Sequence, residues 1–167
     1  MRLRKIKNAL EKLQANTKYF VSNPETCKGN WKSLFGNDNP IHIEIGCGKG
    51  QFMSTLAKRN PNINYVAIEK YDSVLLRCLE KIENEEIPNL KLTIIDAMAI
   101  VNYFDKEEVN RIYLNFSDPW PKNAHSKRRL TSPQFLEGYS HILAVDGEIH
   151  QKTDNRHLFE FSLEMFN

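Results

Sequence analysis

From residue 41 onward, short β-branched runs alternate with stretches whose apolar residues recur at helical spacing. The runs are IHIEIG (41–46), INYVAIE (63–69), LKLTIID (90–96), RIYLNF (111–116) and GEIHQK (147–152), which predict five strands. Between them, Phe52, Met53, Leu56 and Ala57 share one helical face. Val74, Leu75, Cys78, Leu79 and Ile82 share a second, and Phe135, Leu136, Tyr139, Ile142 and Leu143 a third. Ser132 followed by Pro133 marks a helix start, with a hydroxyl to cap it and proline at the first helical position. Strand and helix alternating at this spacing require right-handed crossovers, and so predict an α/β fold with a mostly parallel sheet covered on both faces. A ligand site then lies at the carboxyl ends of the strands.

Residues 1–40 break this pattern. Up to residue 18, Arg2, Arg4, Lys5, Lys7, Lys12 and Lys18 face a single acid, Glu11, and a Pro-, Gly- and Asn-rich segment follows. The segment reads as a basic extension with a short helix ahead of a domain spanning 41–167, with a solvated tail as the competing reading. At 167 residues and 41% hydrophobic content the chain has the size and composition of one globular domain. A net charge of +2 favours no partner by itself, so any case for nucleic acid rests on where the charges sit. The three cysteines are widely spaced and form no CxxC pair, which points to a reducing cytoplasm and not to a disulfide framework. The five histidines show no close-paired ligand spacing, so no metal is expected. MRLRKIKNALEKL lacks the apolar core of a signal peptide, and no later run is long enough for a membrane span.

EIGCGKGQF places Gly46, Gly48 and Gly50 directly after the first strand, at the opening of a helix. Glycines there let the backbone turn sharply and approach a ligand closely. Glu69 closes the second strand, where an acid can accept from both hydroxyls of a ribose. Asp96, followed by Ala97, ends the third, where a carboxylate can accept from an adenine amino group. Glu44, just before the glycines, can orient a cationic amine. Singly, each acid is as consistent with a helix cap. Together they describe a pocket for a nucleoside with an ammonium-bearing tail, which suits S-adenosylmethionine and not an anionic dinucleotide.

NFSDPWPKNAHSKRRL (115–130) begins at the end of the fourth strand and runs on beyond it. Pro119 and Pro121 stiffen the backbone around Trp120, so that Asp118 and an aromatic face are held together beside the expected cofactor. Such a loop can stack a planar base and bond its edge. Lys122, His125, Lys127, Arg128 and Arg129 follow with no acid before Glu137, and such side chains can contact polynucleotide phosphates.

EIGCGKGQF, NFSDPWPK, HSKRRLTS and KTDN, together with the MRLR start, resemble the bacterial tRNA (guanine-N7-)-methyltransferase family, from Met1 to about Phe166. The resemblance implies a Rossmann-like class I S-adenosylmethionine-dependent fold acting on the variable-loop guanine of tRNA. It implies that Glu44, Glu69, Asp96 and Asp118 contact the cofactor, that Asp118 also serves catalysis, and that Lys122 and Asp154 bind substrate. Nothing in it chooses between a monomer and a homodimer. The nearest alternatives are a methyltransferase acting on an exocyclic base amine and a non-catalytic RNA-binding subunit. Three departures stand out. Asn123 and Ala124 replace commonly basic residues, and Gln151 stands in the fifth strand where an aromatic is usual. The family also continues with two more strands and a Thr-x-x-Glu element, so the chain is expected to be a fragment or a shortened protein.

Overall fold

The computed structural model describes residues 5–167. The Met1–Arg4 part of the expected basic extension lies outside the described residues. In chain order the elements are α1 (Ala9–Gln14), β1 (Phe20–Val21), α2 (Trp31–Phe35), β2 (Ile41–Ile45), α3 (Gln51–Arg59), β3 (Asn64–Glu69) and α4 (Asp72–Ile82). They continue with β4 (Leu90–Ile94), β5 (Val109–Asn115), α5 (Pro133–Ile142), β6 (Leu143–Lys152) and α6 (Arg156–Phe166), with 3-10 turns at Pro24–Cys27, Ala97–Asn102 and Asn123–Arg128. All strands are parallel, in the order β1-β4-β3-β2-β5-β6. The chain therefore builds outward from β2 to β4 and then returns to pair β5 against the other side of β2 (His42 with Arg111, Glu44 with Tyr113). The crevice between the carboxyl ends of β2 and β5 is the point where strand order reverses, and such crevices hold ligands in open α/β sheets.

Burial on both faces explains why β2 and β3 contain no exposed position. On one face Tyr65, Ala67, Leu92 and Tyr113 pack with Leu13, Met53, Ala57, Leu75 and Leu79 of the helices above. On the other, Ile41, Ile43, Ile45, Ile112 and Leu114 pack with Trp31, Phe104, Phe135 and Tyr139. The predicted helical faces meet the sheet with local adjustments. Leu76 is buried although its spacing did not mark it, and Leu143 opens β6 where the pattern placed it on the helix. Phe52 lies at the margin, its ring edge-on to Tyr113 at 5.0 Å. The hydroxyl of Ser132 does not cap α5 as the sequence suggests. It donates instead to the Lys127 carbonyl at 2.9 Å.

The segment before β2 holds more structure than the short helix expected of it. Phe20–Val21 adds a sixth strand, pairing with Leu92 and Thr93 of β4. Trp31 is fully buried, stacks on Phe104 with centroids 5.0 Å apart, and donates its indole N–H to the Tyr103 carbonyl at 2.8 Å. Residues 5–40 are thus sewn to the sheet and are not a solvated tail. No helix of the described residues is long and apolar enough to cross a membrane.

Candidate active site

Glu44, Glu69 and Asp96 stand at the carboxyl ends of the neighbouring strands β2, β3 and β4, beside the β2–β5 crevice. Glu44 is 3% exposed, and one of its carboxylate oxygens accepts from the side-chain amide of Asn115 at 3.0 Å. The other oxygen is buried with no hydrogen-bond partner. Burial, opposed by the Asn115 bond and reinforced by the nearby charge of Glu69, pushes the Glu44 carboxyl up to about 7. A buried acceptor left unmatched costs free energy unless something else fills it, and a cationic amine is the group that would reverse the shift. Asn115 was not marked by the sequence reading. Its only signal was a polar residue following the apolar run Ile112–Leu114.

The glycine turn stands over this acid. Gly46 and Cys47 both donate to the Ile68 carbonyl at 2.9 Å, and Gly50 adopts φ +74 at the start of α3. A Cβ on Gly50 would lie 2.1 Å from the sulfur of Cys78, so glycine is required there by packing as well as by conformation. The Cys47 thiol, hydrogen-bonded with Cys78 and buried, is held well above its usual range. It stays protonated and offers no nucleophile.

Glu69 is nearly buried and its carboxylate is fixed by three backbone donors: Gly48 at 3.2 Å on one oxygen, Lys70 at 2.8 Å and Tyr71 at 3.0 Å on the other. It therefore joins the end of β3 to the glycine turn while keeping acceptor capacity for a further hydroxyl. Asp96 is half-exposed and caps the turn that starts at Ala97, accepting from the Met98 N–H at 3.0 Å, with the Lys70 ammonium 3.7 Å from its second oxygen. The cap and ligand readings coexist, since the cap occupies one oxygen only.

Asp118 is exposed on a loop of uncommon backbone geometry. Phe116 has φ 51 and Trp120 φ 44, a left-handed conformation that bulky side chains adopt only when their surroundings enforce it. The start of the loop is tied to the end of β6 by the Phe116 N–H donating to the Lys152 carbonyl at 2.7 Å. The Trp120 ring is covered by the Arg128 guanidinium at 5.0 Å and met edge-on by His125 at 5.7 Å. Lys122, Lys127 and Arg128 are exposed, His125 is partly so, and Asp154 is exposed just beyond β6.

Arg129 differs from its neighbours and overturns the expectation of a phosphate contact at that position. It is 2% exposed. Its Nε donates to the Pro119 carbonyl at 3.0 Å and the Trp120 carbonyl at 3.2 Å, and its Nη2 to the Trp120 carbonyl at 2.9 Å. These donors are spent inside the protein.

Comparison with known proteins concerns the family and the fold. Residues 38–167 match the family described as "Putative methyltransferase". A tRNA (guanine-N(7)-)-methyltransferase from Lachnoclostridium phytofermentans is 58% identical over 164 residues, covering 98% of this chain and 76% of that protein. Among solved structures, the aminoglycoside resistance methyltransferase NpmB1 superposes with a TM-score of 0.60 at 17% identity, covering 81% of this chain and 67% of that one. Haemonchus contortus phosphoethanolamine N-methyltransferase 2 in complex with S-adenosyl-L-methionine gives 0.54 at 14%, covering 95% and 36%. The latter two likenesses concern the fold alone. With a relative this similar matched over three quarters of its length, the chain belongs to the tRNA (guanine-N(7)-)-methyltransferase family.

Proposed function

We propose that this chain transfers a methyl group from S-adenosylmethionine to N7 of a guanine in the variable loop of tRNA. The observation that carries this reading is the unmatched buried oxygen of Glu44 at the strand-order switch, beside a conformationally fixed loop that presents Asp118 among exposed cations. The residues present fit the cofactor. Glu44 would take its ammonium, Glu69 its ribose hydroxyls and Asp96 its adenine amine, while Gly46, Gly48 and Gly50 let the main chain lie against it. When bound, S-adenosylmethionine supplies an electrophilic methyl group on a sulfonium.

Guanine N7 carries an in-plane lone pair and no proton, so the chain needs no strong general base. Its task is to position the base and to hold negative charge where the purine becomes cationic. Asp118 would supply this carboxylate, on the same short loop as Trp120. Lys122, Lys127 and Arg128, with His125 beside them, would take phosphates, and Asp154 would face the substrate from the end of β6. Such binding weakens as salt rises.

The test is to incubate the purified chain with methyl-labelled S-adenosylmethionine and an unmodified tRNA transcript, digest the RNA and identify the labelled nucleoside. 7-Methylguanosine supports the reading. A label on an exocyclic amine would move the activity to another base atom. Cofactor binding without any transfer would leave only the pocket assignment standing.

A further inference from the structure

We propose that Arg129 is a positioning residue for catalysis, a clamp that sets the shape of the Asp118 loop and makes no contact with RNA. The inference rests on the reading of Asp118 given above. Within Asp118–Pro121 the two prolines have no N–H, so the loop is short of internal donors for its own carbonyls. Arg129 supplies them from one rigid fork, bonding Pro119 and Trp120 at 2.9 to 3.2 Å. These are the carbonyls on either side of the left-handed Trp120 backbone. A guanidinium holds that geometry because its N–H vectors are fixed in a plane, whereas a lysine ammonium would bond at a single point.

The other side of the guanidinium lies on the Phe161 ring, 4.5 Å from its centroid, and Nη2 comes within 3.4 Å of the His157 imidazole. Both residues belong to α6, which starts just after Asp154 and is fastened by Thr131 Oγ1 and Ser162 Oγ at 2.7 Å. One side chain therefore joins the loop that carries Asp118 to the helix that follows Asp154. A phosphate is a poor occupant here. The adjoining hollow is lined by Asn123, Ser126, Arg129, His157, Glu160 and Glu164, and its two glutamates would repel an anion. Arg128, one residue earlier, is the exposed cation.

Arg129→Gln, Arg129→Lys and Phe161→Leu would be compared with Arg128→Gln at temperatures well below melting. Arg129→Gln should lose about 100-fold in kcat, the scale of a misplaced reacting group. Its cofactor Kd and its slope of log tRNA affinity against log salt should stay as in the parent chain. Arg128→Gln should flatten that slope by about 0.7 to 0.9, one phosphate contact. Arg129→Lys and Phe161→Leu should show smaller losses in kcat, and they keep the test alive if Arg129→Gln does not fold. Acrylamide quenching of tryptophan fluorescence should rise in the Arg129 variants, reporting Trp120 because Trp31 is 0% exposed. A slope reduced as in Arg128→Gln with kcat intact would overturn the proposal in favour of a phosphate contact. A lower melting temperature with unchanged kcat and quenching would overturn it in favour of a purely structural role. If the parent chain shows no transfer, the function reading fails, while quenching and the salt slope still decide whether Arg129 holds the loop.

Discussion

Lowering the pH from about 7 to about 5.5 should weaken S-adenosylmethionine binding roughly 15-fold through protonation of Glu44. On the proposed reading the site would take an ammonium only when this carboxyl is charged, and burial raises it to about 7. The fraction of chain ready to bind thus falls from about one half to about one thirtieth over this window, with one proton released per cofactor bound at the acid end. Stability follows the opposite course. Below its ordinary value of 4.5 the carboxyl is neutral in both folded and unfolded chains, and burying it carries no ionic cost. Between 4.5 and 7 the folded chain retains a proton that the unfolded chain has lost, so stability declines as pH rises, by about 3 kcal/mol in total. Above 7 that cost is complete. Glu44→Gln should remove it, binding the cofactor about 10- to 100-fold more weakly at neutral pH, the worth of a hydrogen bond to a charged group. Its affinity should also lose the pH dependence contributed by Glu44. Calorimetric titration in buffers of different ionisation enthalpy measures both affinity and proton release. Equal affinity at both pH values with no proton released, or the same pH profile in Glu44→Gln, would refute the reasoning.

Asp118→Asn should lower kcat by at least about 100-fold while changing cofactor affinity far less, because it removes charge where the purine becomes cationic. Equal losses in the two would contradict that division. The same variant should melt within about 0.5 kcal/mol of the parent, since the side chain is exposed. Gly50→Ala should cost about 2–4 kcal/mol from the collision with Cys78 and the left-handed backbone, and adding Cys78→Ala should recover the collision share in denaturant titrations. Trp31→Ala should destabilise the whole domain by about 3–5 kcal/mol in one transition, because the ring is fully buried; a separate early transition would show that residues 5–40 melt alone. Asn155→Ala should cost about 1 kcal/mol, as its side chain caps α6 by accepting from the Leu158 N–H at 2.8 Å.

The central strands and helices were legible because β-branched runs and helical spacing are local signals, and the acids of the crevice were legible because each stands at the end of such a run. What the sequence concealed depends on distant partners. Phe20–Val21 is too short to show alternation, and its pairing with β4 lies some seventy residues ahead in the chain. Arg128 and Arg129 are indistinguishable as charges. Only the packing of α6 over the loop buries the second and leaves the first in solvent. Asn115 gave little warning because its importance comes from Glu44 on a neighbouring strand, and Ser132 was read as a cap because the short-range pattern cannot reveal the Lys127 carbonyl that claims its hydroxyl.

The way residues 5–40 are fastened sets an order of assembly. The Trp31 indole bonds a carbonyl 72 residues further on, and Lys91 of β4 reaches back to the Lys18 carbonyl, 73 residues away. A growing chain thus makes this segment early and must leave it without its dock until β4 and the turn before β5 have been synthesised. At translation speeds of about 5–20 residues per second, Trp31 waits several seconds for its partner. During that interval its aromatic and basic side chains are open to whatever polyanion or chaperone is nearby. Both partners precede Val109 in the chain, so docking of this segment can be complete before β5 arrives to pair with β2 and close the centre of the sheet.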